Sequence, residues 1–155
     1  MKKTPQRKIL VLLDGPDIRH EVLRYSVELA ARTGAAIVFL MLLRHVYVSG
    51  GEQPESQERT MNTSVREAGK RALNNCVRET GLCGIESEAV LRQGDPASEL
   101  LKFLAASRPC QTVVWGGNEA FVRGRRTPVR GHWLERVREE LDCALVVPAL
   151  KGKRA

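Results

Sequence analysis

Three observations predict an α/β fold built on one doubly wound parallel sheet. First, short apolar runs recur at Ile9–Leu13, Ala36–Leu43, Thr112–Trp115 and Ala144–Val147. They are continuous rather than alternating, as strands covered on both faces require. Second, the segments between them repeat their apolar residues at helical spacing. Third, the two kinds of segment alternate as β-α-β-α-β-α-β-α-β, which specifies right-handed crossovers and helices on both faces of a five-stranded sheet.

Each element has local support. Ile9–Leu13 breaks at Asp14-Gly15-Pro16-Asp17, and Asp17 is placed to cap a helix. That helix carries Ile18, Val22, Tyr25, Ser26, Leu29, Ala30 and Thr33 on one face and stops at Gly34. Ala36–Leu43 is the second strand. Residues 46–62 are polar, contain Gly50, Gly51 and Pro54, and read as a long mobile connection, with room for a helical end. A helix is expected from about Ser64 to Thr80, with Val65, Ala68, Ala72, Leu73, Cys76 and Val77 as its stripe. Glu86–Leu91 is more polar, as suits a sheet edge. Gly94-Asp95-Pro96 is a turn with proline at the first helical position, and Leu100, Leu101, Leu104 and Ala105 form the buried side of the helix it starts. The Thr112 strand, a basic loop, a helix over His132–Leu141 and the final strand complete the chain.

The 155 residues fit a single domain, with basic tails at 1–7 and 150–155. Aromatic residues are only 5%, so the core must be aliphatic. The net charge of +7 favours anionic partners without choosing among them. The N-terminal apolar run is too short for a signal peptide, and no stretch approaches the ~20 residues of a membrane span, so a cytoplasmic protein is expected. Cys76, Cys83, Cys110 and Cys143 have no paired metal spacing and read as thiols.

Function points to the end of the fourth strand. In open α/β sheets ligands sit outside the carboxyl ends of strands. There Thr112–Trp115 runs into Gly116-Gly117, and a loop follows that carries Arg123, Arg125, Arg126 and Arg130 before Gly131 and His132. Glycines let backbone N–H groups approach a phosphate, and arginines hold one bidentately. The chain contains no phosphate-binding, dinucleotide-binding, zinc-protease or nucleophile-elbow signature, so catalysis is not expected. Nucleic acid is not expected as a partner either, because no recognition helix or stacking platform accompanies the arginines, and Trp133 reads as core.

The residues resemble the universal stress protein family. Lys8–Leu13 followed by Asp14-Gly15 is similar to its first strand, and Leu23-Arg24-Tyr25 with Glu28-Leu29-Ala30 to its first helix. Gly34-Ala35-Ala36-Ile37, Gly94-Asp95-Pro96-Ala97 with Leu100, and Gly131 with Val137 and Ala144–Pro148 supply three further matches in order. The resemblance implies sheet order 3-2-1-4-5 and a homodimer joined through Ala144–Val147. It also implies an ATP site, with magnesium, built from an Asp after strand one, an apolar residue late in strand two and the motif G-x-x-G, a nine-residue spacer, then G-[S/T]. Asp14, with Gly15 beside it, Leu42, Gly116 or Gly117, and Gly131 fall on these positions.

The departures lie where phosphate would be held. The second motif glycine is Glu119 or Ala120, the spacer is one or two residues long of pattern, and His132 replaces the Ser/Thr. Loss of that hydroxyl is expected to remove a helix cap worth about 1 kcal/mol. Two readings follow. In the first, a regulatory dimer with a degenerate crevice acts by binding, its arginines docking an acidic protein partner. In the alternative, the arginines, with a protonated His132, take over from glycine geometry and the protein is a nucleotide sensor.

Overall fold

β1, Lys8–Leu13, forms the axis of the molecule: Ile9 to Leu12 are fully buried. It pairs in parallel with β2, Ala36–Leu43, in the register Val11 to Phe39, and with β4, Thr112–Trp115, in the register Val11 to Val114. β3, Ser87–Gln93, adds to β2, and β7, Ala144–Val146, adds to β4. The computed structural model describes residues 7–107, 111–118, 122–123, 127–128, 132–141 and 143–148. The parallel sheet therefore runs β3-β2-β1-β4-β7, the expected 3-2-1-4-5 order of its five strands. β3 is half-buried at one edge, as its polarity predicted.

Alternation along β1 divides the core. Ile9, Val11 and Leu13 pack under α1, His20–Thr33, and α2, Pro54–Leu82. Leu10 and Leu12 pack on the other face with α3, Pro96–Ala106, and α4, Trp133–Val137. Each fully buried Leu, Ile or Val contributes roughly 1.5–3 kcal/mol. Trp133 is 3% exposed and belongs to this core, as its sequence context predicted. The helix expected over 132–141 is shorter: α4 gives way to a 3-10 turn at Arg138–Glu140.

Two expectations at the helix ends are corrected. α1 starts at His20 rather than after Asp17, and its N-cap residue, Arg19, makes no side-chain cap bond. Asp17 instead lends its carbonyl to a neighbouring loop. α2 starts at Pro54, ten residues ahead of the expected Ser64, so the second half of the 46–62 connection is helical. Asn62 explains why this helical extension holds. It is 3% exposed, and its amide treats Val46 as a strand would: Oδ1 accepts the Val46 N–H at 2.8 Å and Nδ2 donates to the Val46 carbonyl at 3.0 Å. Gln93 Nε2 also donates to Oδ1, at 2.7 Å, and Glu58 accepts the Val48 N–H at 2.7 Å. The chain leaving β2 is thereby tied to the first turns of α2.

Farther along α2, a Cβ on Gly69 would lie 2.9 Å from both Leu91 Cδ1 and Met41 Sδ, so glycine permits the close crossing over β2 and β3. α3 has the predicted start, with Pro96 in its first turn and Asp95 accepting the Ser98 N–H at 3.1 Å. Hydrogen bonds from the Ser98 hydroxyl and N–H hold the Asp95 carboxyl below its ordinary value, so this cap is present at neutral pH and lost in acid.

Among the described residues Cys76 and Cys83 are free thiols; Cys110 lies outside them. Burial, with Glu79 nearby, pushes the Cys76 thiol up to about 11, whereas Cys83 is exposed. The thiolate is the reactive form. Iodoacetamide at mildly alkaline pH is therefore expected to modify Cys83 first and to reach Cys76 only on unfolding, as peptide mass mapping would show. No helix among the described residues is long and apolar enough to cross a membrane.

Candidate functional site

The strand order reverses direction between β1 and β4: the chain leaves β1 toward β2 and β3, then returns across the sheet to β4. Crevices form outside the carboxyl ends of strands at such a switch point. Asp14 follows β1 there, and Gly116 and Gly117 follow β4. The topology thus brings together residues about a hundred positions apart in the chain.

Their contacts are specific. Gly116 N–H donates to the Leu12 carbonyl at 2.8 Å, extending the β1–β4 pairing by one step. Asn118 N–H donates to Asp14 Oδ1 at 2.9 Å. Asn118 Nδ2 donates to the Asp17 carbonyl, and Arg19 Nη2 donates to the Gly117 carbonyl at 2.9 Å. The loop after β1 and the loop after β4 are therefore joined by side chain to backbone in both directions.

Both glycines are required by packing. A Cβ on Gly116 would stand 2.5 Å from Val22 Cγ1. One on Gly117 would stand 2.6 Å from the Trp115 ring and 2.7 Å from Asp14 Cγ. Real Cβ atoms do not approach neighbours so closely, so the backbone here lies directly on the Asp14 carboxyl group.

Leu42 is the penultimate residue of β2, one step past the Leu13–Met41 pair that precedes Asp14. Its side chain is 3% exposed and packs in the core with Leu10, Leu12 and Trp115. His132 is also 3% exposed. Its Nδ1 accepts the Leu134 N–H at 3.1 Å, so the imidazole caps α4 and the expected loss of a cap is corrected. The ring meets Trp115 edge-on at 5.0 Å and stacks on Trp133 at 5.6 Å. In this arrangement Nδ1 is the acceptor of the cap.

The backbone of Arg123 lies in β5, Val122–Arg123, which pairs antiparallel with β6, Thr127–Pro128. Arg125, Arg126, Arg130 and Gly131 lie outside the described residues. Sequence reasoning missed the contacts of Arg19, Asp17 and Asn118: Arg19 and Asn118 donate side-chain N–H groups to backbone carbonyls, and Asp17 supplies one of those carbonyls. A single Asn or Arg beside a glycine pair carries no pattern that would have marked them.

The model of the universal stress protein family matches residues 6–147. The chain belongs to the universal stress protein family. A curated relative, the universal stress protein YxiE of Bacillus subtilis, is 23% identical over 146 residues, covering 90% of this chain and 97% of that one. The solved universal stress protein UspA from Lactobacillus plantarum superposes with a TM-score of 0.69 at 15% identity, covering 94% and 99% of the two chains. An Arabidopsis thaliana member solved with AMP bound gives 0.57 at 19% identity, over 91% and 90%. An Archaeoglobus fulgidus member in complex with dAMP gives 0.53 at 17%, over 92% and 96%. These structural likenesses establish the fold.

Proposed function

We propose that this universal stress protein is a non-catalytic stress-response regulator that binds an adenine mononucleotide in the crevice between the carboxyl ends of β1 and β4. The carrying observation is the meeting of the Asp14 carboxylate with the Gly117–Asn118 backbone at the switch point, Asp14 Oδ1 lying 2.9 Å from the Asn118 nitrogen. A carboxylate accepts hydrogen bonds only, so Asp14 suits the hydroxyls of a ribose. Gly15 has open space beside its backbone, Gly117 lies against the Asp14 carboxyl, and Leu42 stands in the adjacent strand. Gly131 and His132 close the motif, with His132 holding α4 in place.

A mononucleotide fits better than ATP with magnesium. The position that would help cradle a polyphosphate is Glu119 or Ala120 in place of glycine. A carboxylate at Glu119 would repel added phosphates. One phosphate needs fewer donors, and Arg123, Arg125, Arg126 and Arg130 supply bidentate ones. The fold neighbours with AMP and dAMP agree with this choice. The edge of β7 is the proposed seam of a homodimer: among the described residues this strand pairs on one side only, with β4, which leaves its other side to a second copy. A cytoplasmic location goes with this role.

The net charge of +7 and the clustered arginines favour one second reading, docking of an acidic protein partner through the same loop. Equilibrium dialysis separates the two. AMP is expected to be retained in the micromolar range at moderate salt, with ATP and magnesium binding no tighter. No retention at millimolar AMP, together with salt-sensitive retention of polyglutamate, would replace the nucleotide reading with partner docking.

A further inference from the structure

Three hydrogen bonds join the loops after β1 and β4. Asn118 N–H occupies Asp14 Oδ1, the Asn118 amide holds the Asp17 carbonyl, and Arg19 holds the Gly117 carbonyl. Asn118 and Arg19 are both exposed, so solvent can compete for the two side chains, while the Gly117 carbonyl that Arg19 holds belongs to a buried residue. The backbone at Gly117 lies so close that a Cβ would come within 2.7 Å of Asp14 Cγ. Residues 117 and 118 thus occupy the near side of the carboxylate that a ribose would have to reach.

We infer that Asp17, Arg19 and Asn118 form an autoinhibitory latch, which holds the start of the β4 loop on Asp14 and must release before a nucleotide can engage that carboxylate. The inference rests on the mononucleotide reading of the same crevice. The ribose hydroxyls replace the Asn118 N–H at Asp14, and the apparent affinity is lowered by the fraction of molecules that remain latched. Arg19 and Asn118 are positioning residues for the loop and make no contact with ligand in this scheme. The latch also lets a distant event set nucleotide affinity: whatever draws the Arg19 guanidinium from the Gly117 carbonyl favours the open form.

Arg19→Ala and Asn118→Ala each remove one latch bond while leaving Asp14 and the Asn118 N–H in place. Each is expected to tighten AMP binding roughly 3- to 10-fold, the range that one net hydrogen bond spans. Amide exchange gives a readout independent of affinity. The Asn118 N–H is expected to exchange faster in both variants, and faster in the wild type when saturated with AMP. If the wild type binds AMP but the variants bind equally or more weakly, the latch is overturned and the nucleotide reading stands. If neither the wild type nor the variants bind AMP, both fall. Asn118 exchange that slows when AMP binds also overturns the latch, because the bond would then be part of the bound state.

Discussion

Replacing Asp14 by alanine is expected to weaken AMP binding about 100-fold, the equivalent of about 3 kcal/mol. The estimate follows from the chemistry. Hydrogen bonds to a charged group contribute about 1.5–3 kcal/mol each, and a ribose offers two hydroxyls to one carboxylate. The fold should survive, because Asp14 lies beyond the end of β1 and only half-buried. It accepts the Asn118 N–H from the neighbouring loop, a contact at the surface and not in the core. Asp14→Asn is the sharper comparison. An amide oxygen can still accept the Asn118 N–H, but the charge is gone, so an intermediate loss of roughly tenfold is expected. Titration calorimetry on the three proteins measures both steps. Equal affinity in all three would remove Asp14 from the site.

The largest stability effect away from the core is expected at Asn62. Asn62→Ala removes five hydrogen bonds at once: two with the Val46 backbone, one to the Glu58 carbonyl at 2.8 Å, one with His45 Nε2 at 3.4 Å and one from Gln93. The side chain is 3% exposed, so water does not simply take over. Leaving buried donors and acceptors unsatisfied places the cost at about 3 kcal/mol, above that of an ordinary surface change. Urea unfolding would read the loss, and amide exchange should show Val46 and Val48 released together. A cost under about 0.5 kcal/mol, as at an unremarkable surface position, would mean that the segment after β2 is not held by this residue.

Asn62 also shows where the sequence stops being legible. The strands could be read because a parallel sheet covered on both faces demands uninterrupted apolar runs, and Ile9–Leu13 and Ala36–Leu43 supply them. The start of α2 could not, because residues 54–64 bury almost nothing apolar; their one buried side chain is a polar amide. Helical periodicity has no signal there. Asp17 failed as a cap for a similar reason. Its residue type is right, but Asp14-Gly15-Pro16 carries the chain through a longer turn, and the helix begins three residues later. His132 was read as a lost cap because a hydroxyl was missing, whereas an imidazole nitrogen accepts the same kind of bond.

For the candidate site, the parts carried by residue type were legible: Asp14, Gly116 and Gly117 do come together at the switch point. The role of the two glycines was read too narrowly. They admit close packing against Val22, Trp115 and Asp14, a demand that exists before any phosphate arrives. Arg19 and Asn118 were invisible because their side chains bond to backbone carbonyls, which any sequence provides.

The most direct test of the account is an NMR titration of nitrogen-15-labelled protein with AMP. Shift changes are expected to concentrate at Asp14, Gly15, Gly116, Gly117 and Asn118, with smaller ones at His132 and Leu134, and to saturate at micromolar ligand. Changes confined to other parts of the molecule, or none at millimolar AMP, would contradict a nucleotide site between β1 and β4.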